Sequence, residues 1–156
     1  MKVRRFQVGD EIALYLVFLS AVHEVASRDY SREQIQAWAP AEIDLDLWAD
    51  RIQALQPFVA EIDNEIAGYA DLQPSGYIDH FYVSGKYARK GVGSLLMNRI
   101  HEEAKRLGVS ELTSDVSKTA EPFFVFYGFH VEERRHPICR GVTLHNARMR
   151  KKMAAC

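Results

Sequence analysis

The residues best suited to chemistry cluster in one stretch. It runs Tyr77-Ile-Asp-His-Phe-Tyr-Val83 and then, after a short connection, Ala88-Arg-Lys-Gly-Val-Gly-Ser94. The first segment carries an acid, an imidazole and two phenols on what reads as a β-strand. The second reads as a basic glycine turn opening a helix. The first amides of a helix have no intrahelical partner, and the helix dipole adds partial positive charge there, so such a turn can hold an anion. Gly91 and Gly93 allow a phosphate to approach the backbone closely, and Arg89 and Lys90 add charge. The expected ligand therefore carries phosphate.

The elements around this stretch read as a mixed α/β chain. Residues 3–8 read as a first strand, closed by Gly9 and with Asp10 as the N-cap of a helix. Ile12, Leu16, Leu19, Val22 and Ala26 give that helix an apolar stripe. Ser31 with Gln34 is a capping box for a second, short helix ending before Pro40, and residues 44–55 form a third. Residues 58–62 and 65–72 alternate around Asp63-Asn64, which predicts a hairpin. Pro74-Ser75-Gly76 turns the chain into a third strand over residues 77–83. The helix after the glycine turn carries Leu96, Ile100, Ala104 and Leu107 on one face and stops at Gly108. A strand over residues 111–116, a helix over 119–126 with Pro122 in its first turn, and an antiparallel pair (131–135 with 142–149) around Arg140-Gly141 complete the order.

The bulk numbers bound the function. A length of 156 residues suits one domain with a real core. A formal net charge of −1 gives no global attraction to nucleic acid, and the basic tail Arg148-Met-Arg-Lys-Lys152 reads as a solvated end. No stretch approaches the ~20 apolar residues of a membrane span, and the apolar region 12–25 follows Asp10-Glu11, unlike a secretory signal. Cys139 and Cys156 have neither metal-ligand spacing nor the look of a disulfide framework, which fits a cytoplasmic setting. His23, His80, His101, His130, His136 and His145 are scattered without ligand spacing, so no metal is expected.

Which phosphate ligand is expected follows from the turn. A P-loop needs a Lys-Ser/Thr pair after its second glycine, and here Ser94 follows Gly93 directly. A dinucleotide turn needs a third glycine in a parallel βαβ unit, whereas this strand belongs to an antiparallel meander. The chain instead resembles the GNAT superfamily of acyl-CoA-dependent N-acyltransferases. Ala88-Arg-Lys-Gly-Val-Gly93 matches that family's Gln/Arg-x-x-Gly-x-Gly/Ala turn except at Ala88. Downstream, Ser117-Lys-Thr-Ala120, Phe124 and Gly128-Phe129 match the family's Asn-x-x-Ala-x-x-x-Tyr-x-x-x-Gly-Phe, with Ser for Asn and Phe for Tyr. The likeness spans essentially the whole chain, and the run from Tyr30 to Trp38 with the Pro122-Phe-Phe variant is similar to the YafP-like bacterial branch.

The resemblance implies a mostly antiparallel central sheet flanked by helices on both faces. It implies transfer of an acetyl group from acetyl-CoA directly to a primary amine of a small molecule or protein. The coenzyme would be held by the backbones of Phe81 and Val83 and by Arg89, Lys90, Gly91, Val92, Gly93, Ser94, Ser117 and Phe124. Asp79 is the expected base acting through a water, or the group that positions the ammonium, with His80 as second choice. Tyr127 is the expected proton donor, unless the departing ammonium or water protonates the thiolate. His23, Tyr30, Trp38 and Tyr77 are the expected acceptor-pocket residues. Dimers are common in the family, so a homodimer is consistent with it. The rival reading is an acyl-CoA-binding sensor or partner module with little catalysis.

Overall fold

A computed structural model describes residues 1–154, so Cys156 and any pairing it makes lie outside the described residues. Strand β1 (Lys2–Arg5) is shorter than the alternation suggests. It ends because Asp10 organises the following turn rather than capping the helix. The Asp10 carboxylate takes the Gln7 amide (2.8 Å) and both terminal nitrogens of Arg4 (2.8 and 3.0 Å), and makes no cap bond to α1 (Glu11–Ser20).

The apolar stripe read along this helix holds at its C-terminal end, where Leu19 packs on the core and Val22 and Ala26 are buried, and fails in its first turns. Ile12 and Leu16 are each 59 % exposed, while Leu14, Tyr15, Val17 and Phe18 are buried. The helix is apolar almost all round, so periodicity alone could not choose its inner side. It continues as a π-helical turn (Ala21–Val25) and a 3₁₀ turn (Ala26–Arg28). Helix α2 (Arg32–Trp38) starts with the expected capping box, Gln34 amide to Ser31 Oγ (3.1 Å) and Ser31 amide to Gln34 Oε1 (2.9 Å). Helix α3 (Leu45–Leu55) is capped by Asp44.

Strands β2 (Phe58–Ile62) and β3 (Glu65–Ala70) form the expected hairpin, with Asp63 and Asn64 both at positive φ as such a turn requires. The next strand departs from expectation. The stretch 77–83 is two strands, β4 (Tyr77–Ile78) and β5 (Phe81–Val83), broken at Asp79-His80. They join different sheets. β5 closes the antiparallel sheet β1-β2-β3-β5, and β4 pairs in parallel with β6 (Glu111–Ser117). The second sheet runs β4-β6-β10-β7, with β7 (His130–Arg135) and β10 (Asn146–Lys152) antiparallel partners. The closing pair thus exists, but Arg140-Gly141 turns a separate small hairpin, β8 (Ile138–Cys139) with β9 (Val142–Thr143).

Helix α4 (Val92–Leu107) and the short α5 (Glu121–Phe126) cover one face, and α1 to α3 cover the other. Tyr69, Val59, Trp48 and Leu14 fill the α1 side, and Leu96, Met97, Ile100 and Phe124 the α4 side. Gly76 fixes where β4 meets β6. It has φ +91°, and a Cβ there would lie 2.1 Å from the Glu111 carbonyl oxygen, a backbone atom with no room to yield. Gly76→Ala is expected to cost more than about 3 kcal/mol, read as a lowered melting temperature or insoluble product. Among the described residues no helix is long and apolar enough to cross a membrane.

Candidate active site

The break at Asp79-His80 creates an open sheet edge. Ser84 N–H to Ala67 (2.9 Å) and Asp71 N–H to His80 (3.1 Å) bracket the β3–β5 ladder and place Tyr82 opposite Tyr69. By the alternation of an antiparallel ladder, the N–H and C=O groups of Phe81 and Val83 point away from β3. Among the described residues no strand lies there, because β4 and β6 pair only at Tyr77–Thr113 and Ile78–Ser114 before the two sheets splay apart.

A cleft of about 800 Å³ fills the splay. Phe81, Tyr82 and Val83 form its floor, and the π and 3₁₀ turns after α1 contribute Ala21, Glu24 and Arg28. Its far end reaches the N-terminus of α4. Gly91, at φ +85°, is the N-cap in a left-handed conformation that suits glycine. The first intrahelical bond is Leu95 N–H to Gly91 (3.0 Å), so the amides of Val92, Gly93 and Ser94 have no helical acceptor. Gly93 has a role the sequence reading did not give it. Its missing Cβ admits the Phe123 ring, which would lie 3.1 Å from that Cβ. The arrangement can take an extended amide-bearing chain along β5 and an anion at its end.

The expected anion and edge residues Phe81, Val83, Arg89, Gly91, Val92, Gly93, Ser94, Ser117 and Phe124 all line this cleft; Lys90 is exposed beside it and does not. Most of the other expected residues lie elsewhere. Asp79 Oδ2 accepts from Arg51 of α3 (2.6 Å). His80 Nδ1 shares a hydrogen bond with the Tyr69 hydroxyl (2.9 Å), and its ring sits against Phe18, Trp48 and Tyr82. Burial holds that imidazole down at about 4, so it is neutral at pH 7 and weakly basic. Tyr77 donates to Asp115 (3.0 Å), and burial with that acid pushes its phenol up to about 12. Tyr127 stacks beyond Phe123 against His101, outside the cleft lining. His23 is exposed, with Nε2 2.6 Å from the Ala39 carbonyl. Of the expected acceptor residues only Trp38 lines the cleft.

Tyr30 is buried, and its hydroxyl is fully used. It donates to the His145 carbonyl and accepts from the Lys118 amide (2.9 Å), tying the start of α2 to the ends of β6 and β10. Tyr30→Phe strands both backbone groups and is expected to cost about 1–3 kcal/mol in a denaturation experiment. Two groups of consequence were not read from the sequence. Tyr82 lies between two named neighbours, and alternation alone turns its ring to the α1 side. Asp71 is a fully buried acid beyond the end of β3, signalled only by an acid inside the apolar run 66–72.

The chain matches the acetyltransferase (GNAT) domain family over residues 26–152. It is 37% identical over 152 residues to YafP of Escherichia coli (strain K12), an uncharacterized N-acetyltransferase, covering 97% of this chain and 96% of that one. The chain belongs to the GNAT acetyltransferase family. A GCN5-related N-acetyltransferase from Rhodopseudomonas palustris superposes with TM-score 0.93 at 28% identity, covering 97% of this chain and 95% of that one. YncA from Salmonella typhimurium, solved with its cofactor acetyl-CoA, shares the fold with TM-score 0.70 at 20% identity, covering 100% and 95%.

Two departures from the GNAT motifs have physical explanations here. Ser117 Oγ accepts the Ala120 amide (3.2 Å), so a serine closes the turn before α5. Phe124 is buried against Phe81, Phe123 and Phe129, and fills a core position where a phenol would need a partner.

Proposed function

We propose that this GNAT acetyltransferase binds acetyl-CoA in the cleft between β5 and β6 and moves its acetyl group directly to a primary amine. The observation that carries this reading is the unpaired β5 edge running toward the free amides of α4. The pantetheine arm pairs with the backbones of Phe81 and Val83 as an added strand. The pyrophosphate rests on the amides of Val92, Gly93 and Ser94, beside Arg89. The amine nitrogen attacks the thioester carbonyl. An N–H of the β5 edge stabilises the oxyanion, the C–S bond breaks, and the thiolate takes a proton. The attacking amine sheds one proton before attack and a second from the tetrahedral intermediate.

Asp79 serves the acceptor by drawing the ammonium in, exchanging its Arg51 partner for the substrate. Proton removal passes through water, because Asp79 is held on Arg51 and the buried His80 imidazole is a weak base. Trp38 and Tyr82 line the acceptor end of the cleft. Phe124 offers no proton and Tyr127 stands outside the cleft, so the thiolate takes its proton from the ammonium nitrogen of the tetrahedral intermediate or from water. The same shortage of a proton-donating side chain is what favours the second reading, an acyl-CoA sensor.

Thiol release from acetyl-CoA over a broad panel of primary amines, peptide amines included, separates the two. The transferase reading predicts amine-dependent release with an acetylated product. Tight acetyl-CoA binding with no release for any amine contradicts it and supports the sensor.

A further inference from the structure

Asp71 lies just past the end of β3, fully buried. Its Oδ1 accepts two backbone amides at once, from Asp79 (2.9 Å) and from His80 (2.6 Å). Its Oδ2 accepts Gln73 Nε2 (2.7 Å), and the same Gln73 nitrogen reaches the Leu55 carbonyl at the end of α3 (3.3 Å). The two amides it holds are those of the residues where the strand 77–83 breaks. In an unbroken strand, consecutive amides point to opposite neighbours. Here both converge on one oxygen, so the chain must bend between β4 and β5. We infer that the Asp71 carboxylate is a positioning residue that holds this strand broken and thereby keeps the β5 edge free for the acyl-CoA arm.

The inference rests on the acyl-CoA reading of the cleft. Its physical basis is charge. A carboxylate accepting amides makes bonds roughly twice as strong as a neutral carbonyl does, and a buried amide left without a partner is costly. The other groups facing Asp71 are the Asp79 carboxylate with Arg51 behind it, the neutral His80 ring, the Tyr69 phenol and the Gln73 amide. Burial raises Asp71 to about 6, with the Asp79 charge adding to the rise and the bound amides opposing it. The clamp is therefore mostly charged at pH 7.5 and mostly neutral at pH 5.

Stability cannot be used to read this titration. Asp71 titrates higher in the folded chain than in the unfolded one, so it adds stability as pH falls through about 6 toward the ordinary carboxylate range. His80 is held down at about 4, so it removes stability as pH falls from its ordinary value near 6.5. The two windows nearly coincide and oppose each other.

The test uses ¹⁵N-labelled protein and acetyl-CoA, comparing wild type with Asp71→Asn, which keeps the shape and removes the charge. Wild-type amide resonances of Asp79 and His80 are expected to titrate near pH 6, and Asp71→Asn to abolish that titration. The Asn variant is expected to bind acetyl-CoA about fivefold more weakly at pH 7.5, and to match wild type at pH 5. Because the ligand's own phosphate also titrates near pH 6, it forms a background common to both proteins. A missing amide titration with acetyl-CoA binding intact overturns the clamp alone. An amide titration with equal acetyl-CoA affinity in both proteins overturns the positioning role. An amide titration in a wild type that binds no acetyl-CoA overturns the acetyltransferase reading of the cleft, and the positioning role with it.

Discussion

Replacing Gly93 with valine is expected to weaken acetyl-CoA binding about 100-fold, or about 2.7 kcal/mol. Gly93 lies in the first turn of α4, where its own amide and that of Ser94 are free of intrahelical bonds. A Cβ there stands 3.1 Å from two atoms of the Phe123 ring. Valine adds two methyl groups beyond that Cβ, which push the ring into the cleft and cover the amides. The helix itself does not suffer, since valine is a better helix former than glycine by a few tenths of a kcal/mol. Alanine at the same position is expected to cost about tenfold, because a single Cβ needs only a small shift of Phe123. Equal affinity in wild type and the valine variant, measured by calorimetry, contradicts an anion site at this helix end.

The second large effect is on the acceptor. Asp79→Ala is expected to lower kcat/KM for the amine about 100-fold and to leave the acetyl-CoA dissociation constant unchanged. The split follows from geometry. Asp79 lies at the strand break, outside the cleft lining, with its carboxylate on Arg51 at 2.6 Å. Its loss leaves the β5 edge and the α4 amides in place but removes the negative charge that draws in an ammonium. Stability changes little, since a partly exposed ion pair contributes about 0–1 kcal/mol. Asp79→Asn is expected to behave like the alanine variant, because charge rather than shape is at stake. A uniform loss of acetyl-CoA affinity in both variants assigns Asp79 to the fold instead.

The glycine turn and the helix behind it were legible because their signals are local. A basic turn, two glycines, a stripe that buries Leu96, Ile100 and Ala104 though not its last member, the exposed Leu107, and a stop at Gly108 each depend on neighbours a few residues away. The split of 77–83 was not legible. Its alternation runs through Asp79 and His80 with no glycine or proline to mark a break, and the cause is an acid eight and nine residues upstream that reaches them only in the fold. The same split explains why the backbone assignments at Phe81 and Val83 agree with the cleft while those at the acceptor side scatter. Edge polarity follows from strand alternation. Where Tyr77, Asp79 and His80 point depends on Asp115, Arg51 and Tyr69, and strand alternation does not encode those partners. Tyr30 was expected at the acceptor and is instead a strut, because a phenol's use depends on which backbone groups it meets.

The most direct measurement is a crystal structure of the protein with acetyl-CoA. The expected complex has the pantetheine amides paired with the backbones of Phe81 and Val83, the pyrophosphate on the amides of Val92 to Ser94, and the thioester at the Trp38 and Tyr82 end of the cleft. A coenzyme bound elsewhere, or a β5 edge already occupied by β6 in the complex, contradicts it.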